Sequence, residues 1–186
     1  MERVIVAGHV CLDITPIFAE KRHLPIDEVL IPGKLTLMEG MELSPGGSVA
    51  NTGLALSRLG YSTAMVGKTG DDALAQLLEE RLGRRGGEVR LIKSGDTRTS
   101  YTVILAPPET DRVFLHDPGA NDTFLAEDLD PSLLEGARLM HFGYPPVMRS
   151  LYLEEGRELH KLLTAAKERD LIVSLDMALP DPNSEA

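Results

Sequence analysis

The sequence lacks the features that mark membrane, secreted and disulfide-stabilised proteins. No apolar stretch approaches the ~20 residues that a membrane-spanning helix needs. The one cysteine, Cys11, cannot form a disulfide within the chain or a cysteine-based zinc site. His9 and Asp13 interrupt the first apolar run too early for the core of a signal peptide. We therefore expect a cytoplasmic protein with no membrane partner.

Basic charge is also scarce. The chain has 19 Lys and Arg against 29 Asp and Glu over 186 residues, which gives a formal net charge of -10. An acidic surface repels the phosphates of DNA and RNA, so we expect no nucleic-acid partner. Hydrophobic residues make up 42% of the chain, and with this length they predict one compact globular domain.

Common nucleotide and metal motifs are absent. Residues 67–69 read Gly-Lys-Thr, but a Walker phosphate loop needs a further glycine five residues before Gly67, where Ser62 stands. No Gly-x-Gly-x-x-Gly follows the first apolar run, which argues against a dinucleotide site. The histidines lack the spacing of a His-Glu-x-x-His zinc motif. Function must therefore be sought in other parts of the sequence.

What is present is an alternation of strand-like and helix-like segments. Residues 4–10 are almost continuously apolar and rich in β-branched residues, which predicts a strand buried on both faces of a parallel sheet. The alternation as a whole predicts a three-layer α/β/α fold with a mostly parallel central sheet. The later elements are predicted as a helix at 49–59, a strand at 61–66, a loop at 67–70, a helix capped by Asp71 or Asp72, strands at 88–92, 138–142 and 171–175, and a helix at 154–169.

Two segments leave this alternation. Residues 15–41 mix prolines and glycine with short apolar patches, which predicts irregular structure or one or two short strands off the main sheet. Residues 98–105 and 112–116 are β-rich and predict an antiparallel hairpin. Ligands of open α/β sheets bind beyond the carboxyl ends of the strands. A small β-layer built from both segments would cover such a site.

Residues 45–51, Pro-Gly-Gly-Ser-Val-Ala-Asn, form the most informative stretch. Two glycines allow a positive φ and the close approach of a ligand, and the helix that follows offers free N–H groups. Asp13 follows the first strand, where a carboxylate can accept hydrogen bonds from two sugar hydroxyls. Taken alone, a glycine-rich helix start explains residues 45–51 equally well. Taken alone, a solvated loop or a capping role explains Asp13 better than a sugar contact does. Both lie at the same edge of the predicted sheet, which favours a sugar site.

Residues 46–51 are followed by Leu-Gly at 59–60 and by Val-Gly-Lys-Thr-Gly-Asp-Asp at 66–72. This combination resembles the first signature of the PfkB (ribokinase-type) carbohydrate kinases. The opening residues 8–14 are similar to that family's first strand with its substrate aspartate. The family implies a ribokinase-like fold in which a small β-lid covers a sugar site, with lid segments here at about 14–43 and 97–117. The motifs that carry the resemblance lie at residues 46–51, 59–60, 66–72 and 118–121.

The resemblance also implies roles for individual residues. Asp13 and Asn51 would hold substrate hydroxyls. Gly46 and Gly47 would line the sugar and act as the hinge of the lid. Further substrate contacts are implied on the lid strands and after the strand at 138–142, at Thr102, Phe114, His116, Gly143 and Tyr144.

The second half of the family pattern has no counterpart in the sequence. Neither the signature Asp-Thr-x-Gly-Ala-Gly-Asp, which supplies the catalytic base and an anion hole, nor the magnesium-associated Asn-x-x-Glu occurs. The resemblance implies ATP and Mg²⁺ for the intact protein, with no catalytic, ATP-binding or metal residue in this chain. We expect residues 1–186 to be a truncated ribokinase-like domain that is inactive alone.

The main hypothesis is the sugar-binding half of an ATP-dependent carbohydrate kinase. A nucleoside kinase of the same family and a non-catalytic sugar-binding module remain alternatives, because nothing separates the ribose of a sugar from the ribose of a nucleoside. We also expect exposed apolar surface where the sheet stops after residues 171–175. A homodimer through that edge or through the lid is a further expectation.

Overall fold

The computed structural model describes residues 2–23, 25–84 and 86–185. The described residues form nine strands and four α-helices, with short 3₁₀ turns between residues 119 and 147. In chain order the elements are β1 (Arg3–Gly8), β2 (Cys11–Phe18), α1 (Ile26–Val29), β3 (Met38–Gly46), α2 (Gly47–Arg58), β4 (Ser62–Gly70), α3 (Ala73–Gly83), β5 (Glu88–Ser94), β6 (Tyr101–Leu105), β7 (Val113–Asp117), β8 (Ala137–Gly143), α4 (Arg149–Lys167) and β9 (Ile172–Asp176).

Five parallel strands form the main sheet in the order β5-β4-β1-β8-β9. The central strand β1 is buried from Val4 to Ala7, since it has a neighbour on each side and helices over both faces. Ile5 packs with side chains of α4, whereas Met65 of β4 packs with those of α2 and α3. This arrangement confirms the predicted three-layer α/β/α fold.

The two faces of the main sheet have separate hydrophobic cores. On the α4 side, Phe124, Phe142 and Leu162 lie in one buried cluster, with the rings of Phe124 and Phe142 packed edge to face 5.8 Å apart. On the other side, Val49 of α2 and Leu78 of α3 lie against β4. Burial of each such side chain stabilises the fold by about 1.5–3 kcal/mol, so the main sheet supplies most of the apolar stabilisation.

Helix α3 begins as predicted and also connects two parts of the chain. Asp72 caps the helix by accepting a hydrogen bond from the N–H of Ala75 at 2.9 Å. The same carboxylate accepts hydrogen bonds from the N–H and the hydroxyl of Thr99, at 2.8 and 2.7 Å. Asp72 therefore connects the start of α3 to Thr99, which lies just before β6.

The prediction of a loop at residues 67–70 is wrong. These residues extend β4 to Gly70 and pair with β5 as far as Ser94. The absence of a side chain at Gly67 makes this possible, because a Cβ there would lie 2.5 Å from Cγ1 of Val10. The glycines that suggest a loop in the sequence instead let other segments pack closely against this strand.

Helix α4 differs from its prediction at its start. It begins at Arg149 rather than near residue 154, and residues 153–156 interrupt it, with positive φ at Glu154, Glu155 and Gly156. A left-handed conformation costs about 1–2 kcal/mol for each non-glycine residue. The spacing of apolar residues does not indicate where such a conformation occurs, so helical periodicity did not predict this interruption. Neither α4 nor any other described helix has the length and apolar character needed to cross a membrane.

The other four strands form a second sheet in the order β3-β2-β6-β7. The predicted hairpin is confirmed as the antiparallel pair β6–β7. Of the two alternatives predicted for residues 15–41, strands off the main sheet are confirmed, since residues 15–18 belong to β2 and 38–41 to β3 of the second sheet. The paired strands are longer than predicted, because they extend back to Cys11 and on to Gly46. Pro16 is tolerated since β2 pairs with β6 only over residues 12–14, so that Pro16 lies where the strand has a single neighbour.

Each of the two sheets has apolar side chains that reach solvent. Ile172 and Leu175 on β9 are exposed at the open edge of the main sheet. Met41, Phe114 and Leu115 are exposed on the second sheet. These are the two surfaces through which the sequence leads us to expect a homodimer, and dimer formation stays a prediction.

Candidate functional site

The candidate site lies where the carboxyl ends of β1 and β8 meet the second sheet and the start of α2. The chain passes from β1 to β2 through His9 and Val10, and from β3 directly into α2 through Gly46 and Gly47. The N–H of His9 donates to the carbonyl oxygen of Gly143 at 3.1 Å, which brings the end of β8 to the same place. Ligands of open α/β sheets bind at such strand ends.

One row of polar side chains crosses the second sheet. The strand register sets Asp13 opposite Ser44 of β3 and Thr102 of β6, and sets Thr102 opposite His116 of β7. Side chains opposite each other in neighbouring strands share a face of the sheet, which we call the inner face. Phe114 lies two residues before His116, so it is on the inner face one row further out, with 53% of its surface exposed.

Asp13 is packed directly against Gly46. A Cβ at position 46 would lie 2.2 Å from Oδ2 of Asp13, so only glycine leaves room for this carboxylate. Cys11 Sγ donates a hydrogen bond to Oδ1 of Asp13 at 3.3 Å. Burial raises the pKa of Asp13 above its ordinary value, and the donors on Cys11 and Thr102 oppose that rise. The structure thus brings together two of the predicted site residues, Asp13 and Gly46.

Gly47 has a different reason to be glycine. It takes φ 80°, and a Cβ there would lie 2.5 Å from the carbonyl oxygen of His9 and 2.6 Å from His9 Nδ1. The same carbonyl accepts a hydrogen bond from the N–H of Val49 at 3.1 Å. Asn51, four residues after Gly47, is exposed on the same side of the helix. The start of α2 therefore packs directly against the residue that follows β1, His9.

Two site residues were missed at the sequence level: His9 and Cys11. His9 is only 4% exposed, and its Nε2 lies 3.2 Å from Nε2 of His116. Burial, together with His116, lowers the pKa of His9 to about 3, so the ring is neutral at pH 7. Burial and the adjacent Asp13 raise the pKa of Cys11, which therefore keeps its thiol proton. The sequence signal was weak, because His9 only interrupts an apolar run and Cys11 lies within one.

A third residue without a predicted role, Asn121, fixes the connection between β1 and β2. It is fully buried, and its Oδ1 accepts from the N–H of Val10 at 3.2 Å while its Nδ2 donates to the carbonyl of Val10 at 2.9 Å. Nδ2 also donates to the carbonyl of Pro118 at 3.1 Å. The amide satisfies backbone groups that no strand pairs with, and it thereby holds the residues on either side of Val10 in place.

The end of β8 is closely packed. A Cβ at Gly143 would lie 2.2 Å from Oγ of Ser48. The next residue, Tyr144, takes a positive φ of 66°, and its ring lies 6.0 Å from that of His9.

Among residues 2–23, 25–84 and 86–185, no three His, Cys, Asp or Glu side chains are grouped to hold a metal ion. The substrate contacts implied for Gly143, Thr102, Phe114 and His116 stay predictions.

Comparison with known sequences finds similar proteins among the sugar kinases. A family model described as pfkB family carbohydrate kinase matches residues 1–183. The fructokinase of Solanum tuberosum is 31% identical over 153 residues, which are 79% of this chain and 47% of that protein. Fructokinase-1 of Zea mays is 32% identical over 137 residues, 72% of this chain and 41% of that protein. The chain spans about half the length of the curated relatives it matches.

Solved structures share the fold. The fructokinase from Xylella fastidiosa aligns with a TM-score of 0.77 at 18% identity, over 100% of this chain and 56% of that chain. The 2-dehydro-3-deoxygluconokinase from Thermotoga maritima aligns with a TM-score of 0.74 at 22% identity, over 96% of this chain and 52% of that chain. The ribokinase-like fold expected from the resemblance is confirmed. By the family match over nearly its whole length, the chain belongs to the pfkB family of carbohydrate kinases.

Proposed function

We propose that this chain is the substrate-binding part of a kinase that phosphorylates a hydroxyl of fructose or a closely related sugar. The observation that carries the proposal is the carboxylate of Asp13, held against Gly46 in a row of polar side chains beside the start of α2. The named activity of the fructokinases of Solanum tuberosum and Zea mays supports fructose as the first substrate to test.

In this proposal Asp13 binds two neighbouring hydroxyls of the sugar. A carboxylate has about four lone-pair positions, so the hydrogen bond from Cys11 to Oδ1 leaves acceptor capacity for substrate. Asn51 adds an amide that can both donate and accept, from one turn inside α2. Gly46 and Gly47 present bare backbone, which lets the sugar approach where any side chain would collide with Asp13 or His9.

The second sheet acts as a lid in this proposal. Its inner face carries Thr102 and His116 near the main sheet and Phe114 further out, a gradient from polar to apolar that suits a sugar with hydroxyls on one side and C–H groups on the other. Gly46 and Gly47, between β3 and α2, are the proposed hinge. Closure would exclude water from the reacting hydroxyl, with Gly143 as a backbone contact.

Phosphoryl transfer itself is not assigned to these residues. ATP supplies the phosphoryl group in pfkB kinases, yet the described residues present neither a phosphate-binding motif nor a cluster for Mg²⁺. The chain matches only 47% of the potato fructokinase. We therefore assign the catalytic base, the ATP site and the Mg²⁺ site to further residues of a longer protein, and we expect the 186-residue chain to bind sugar without phosphorylating it.

Sugar binding is tested by the thermal stability of the chain in the presence of fructose, ribose, 2-keto-3-deoxygluconate or adenosine. A ligand that binds the folded state raises the melting temperature. We expect fructose to raise it most, and Asp13→Asn to abolish the rise. Asp111→Asn, at an exposed position in the connection between β6 and β7, is the matched control and should respond as wild type. A rise with adenosine alone would instead favour the nucleoside kinase, and no rise with any sugar would contradict the proposal.

A further inference from the structure

A continuous series of hydrogen-bond contacts runs from the end of β1 through the second sheet to Asp13. His9 Nε2 lies 3.2 Å from Nε2 of His116, and His116 Nδ1 lies 2.9 Å from Oγ1 of Thr102. Thr102 Oγ1 donates to Cys11 Sγ at 3.6 Å, and Cys11 Sγ donates to Asp13 Oδ1 at 3.3 Å. The series thus begins at a residue of the main body and ends on the proposed substrate ligand.

The direction of donation depends on which nitrogen of His9 carries the proton. A neutral imidazole has one N–H and one lone-pair nitrogen. His9 Nδ1 is buried with no hydrogen-bond partner among the described residues, and it faces Gly47, the first residue of α2. The start of a helix carries partial positive charge, which favours a lone pair and disfavours an N–H pointing at it. The proton of His9 therefore belongs on Nε2.

Every later step follows from that assignment. Since His9 Nε2–H donates, His116 Nε2 must accept, and neutral His116 then carries its proton on Nδ1. His116 Nδ1–H donates to the Thr102 oxygen, which leaves the Thr102 hydroxyl hydrogen free to point toward Cys11 and Asp13. Cys11 remains a donor because burial and Asp13 raise the pKa of its thiol. All the donors in the series are thus oriented toward the Asp13 carboxylate.

We infer that His9 is a positioning residue, which sets the tautomer of His116 and through Thr102 and Cys11 keeps the donors oriented toward Asp13. The inference rests on the proposed function only for its consequence, the binding of sugar hydroxyls by Asp13. His9 does not itself touch substrate: it is buried beneath Gly47 and acts through the second sheet.

The assignment of tautomers is tested by ¹⁵N NMR of the histidine rings of the 186-residue chain. We expect the proton of His9 on Nε2 and that of His116 on Nδ1. In His9→Leu, His116 loses its donor and shifts toward the Nε2–H form, because that N–H reaches solvent while Nδ1 accepts from Thr102. His9→Gln retains an amide N–H and should leave His116 as in wild type. A His9 protonated on Nδ1 in the wild-type chain would overturn the inference.

The effect on Asp13 is tested by following its carboxyl carbon through a pH titration. The groups whose charges or hydrogen bonds act on this carboxylate are Cys11, Thr102 and His116. Loss of a donor disfavours the charged form, so His9→Leu should raise the pKa of Asp13 further, and His9→Gln should not. Thr102→Val interrupts the series at another point and should give the same rise, with no further rise in the double variant. Additive shifts would contradict a shared series.

Sugar binding provides a separate readout. We expect fructose affinity to fall about tenfold in His9→Leu, equivalent to about 1.4 kcal/mol, and to recover in His9→Gln. If wild-type chain binds no sugar while the tautomers and the Asp13 shift are as expected, the proposed function fails and the positioning role of His9 stands. If sugar binds but His9→Leu leaves both the Asp13 pKa and the affinity unchanged, the inference fails and the proposed function stands.

Discussion

The two sheets of this protein differ in how much of their surface reaches water. In the main sheet, β1 is buried on both faces, and every one of its residues from Val4 to Gly8 is buried. In the second sheet, β3 is exposed from Met38 to Glu42 and becomes buried only where it joins α2. The main sheet is stabilised by its two hydrophobic cores, whereas the stability of the second sheet depends on its contacts with the rest of the chain.

The attachments of the second sheet include three polar contacts. Asp72 bonds Thr99 before β6, Asn121 bonds Val10 before β2, and a side-chain nitrogen of Arg81 donates to the carbonyl of Leu43 in β3 at 2.6 Å. A sheet attached in this way can carry polar side chains on its inner face without lowering the stability of the main core. The main sheet thus accounts for most of the stability, and the second sheet carries the proposed substrate recognition. Matched substitutions in the two sheets can test this division.

The largest expected difference is between two phenylalanines. Phe142 is fully buried in the main core and Phe114 is 53% exposed on the second sheet. We expect Phe142→Ala to lower the free energy of unfolding by about 3–5 kcal/mol, and Phe114→Ala to change it by about 0.5 kcal/mol or less. Urea denaturation of the two variants measures both values. Similar losses would show that the two sheets are equally important for stability.

A smaller difference is expected between two asparagines. Asn121→Ala leaves the N–H and the carbonyl of Val10 buried without their partners, which should cost about 2–4 kcal/mol. Asn51 is exposed on α2, so Asn51→Ala should leave the unfolding free energy within about 0.5 kcal/mol of wild type. If Asn51 binds sugar as proposed, its variant loses the thermal shift with fructose. A stable Asn121→Ala chain would mean that the β1–β2 connection does not need this amide.

The smallest expected difference separates two glycines with nearly the same backbone. Gly47 has φ 80° and Gly33 has φ 77°, but a Cβ meets His9 atoms only at Gly47. Alanine at either position costs about 1–2 kcal/mol for the left-handed conformation. The collision at Gly47 should add about 1–3 kcal/mol, as overpacking does. Thermal unfolding of both variants measures the loss of stability in each. Equal losses would argue against the tight packing of α2 against His9.

Much of the architecture could be predicted because it follows from local sequence patterns, such as apolar runs, turn residues and helix caps. The apolar run at residues 4–10, the hairpin at 98–116 and a helix cap at Asp71 or Asp72 can each be predicted from neighbouring residues alone. The long pair β2–β3 could not, since its prolines and glycines disfavour strands locally and only pairing across the sheet stabilises them. Likewise, glycines 67 and 70 lie in β4 because other segments need the space where their side chains would be.

The local sequence was enough to predict that Gly46, Gly47 and Asp13 lie in one candidate site. Two adjacent glycines before a helix and an aspartate after a buried strand are local patterns with a physical meaning. His9, Cys11 and Asn121 join that site through contacts that exist only in the folded chain. Their partners lie on strands and turns distant in the chain, and a hydrogen bond between distant segments has no local pattern from which it could be predicted.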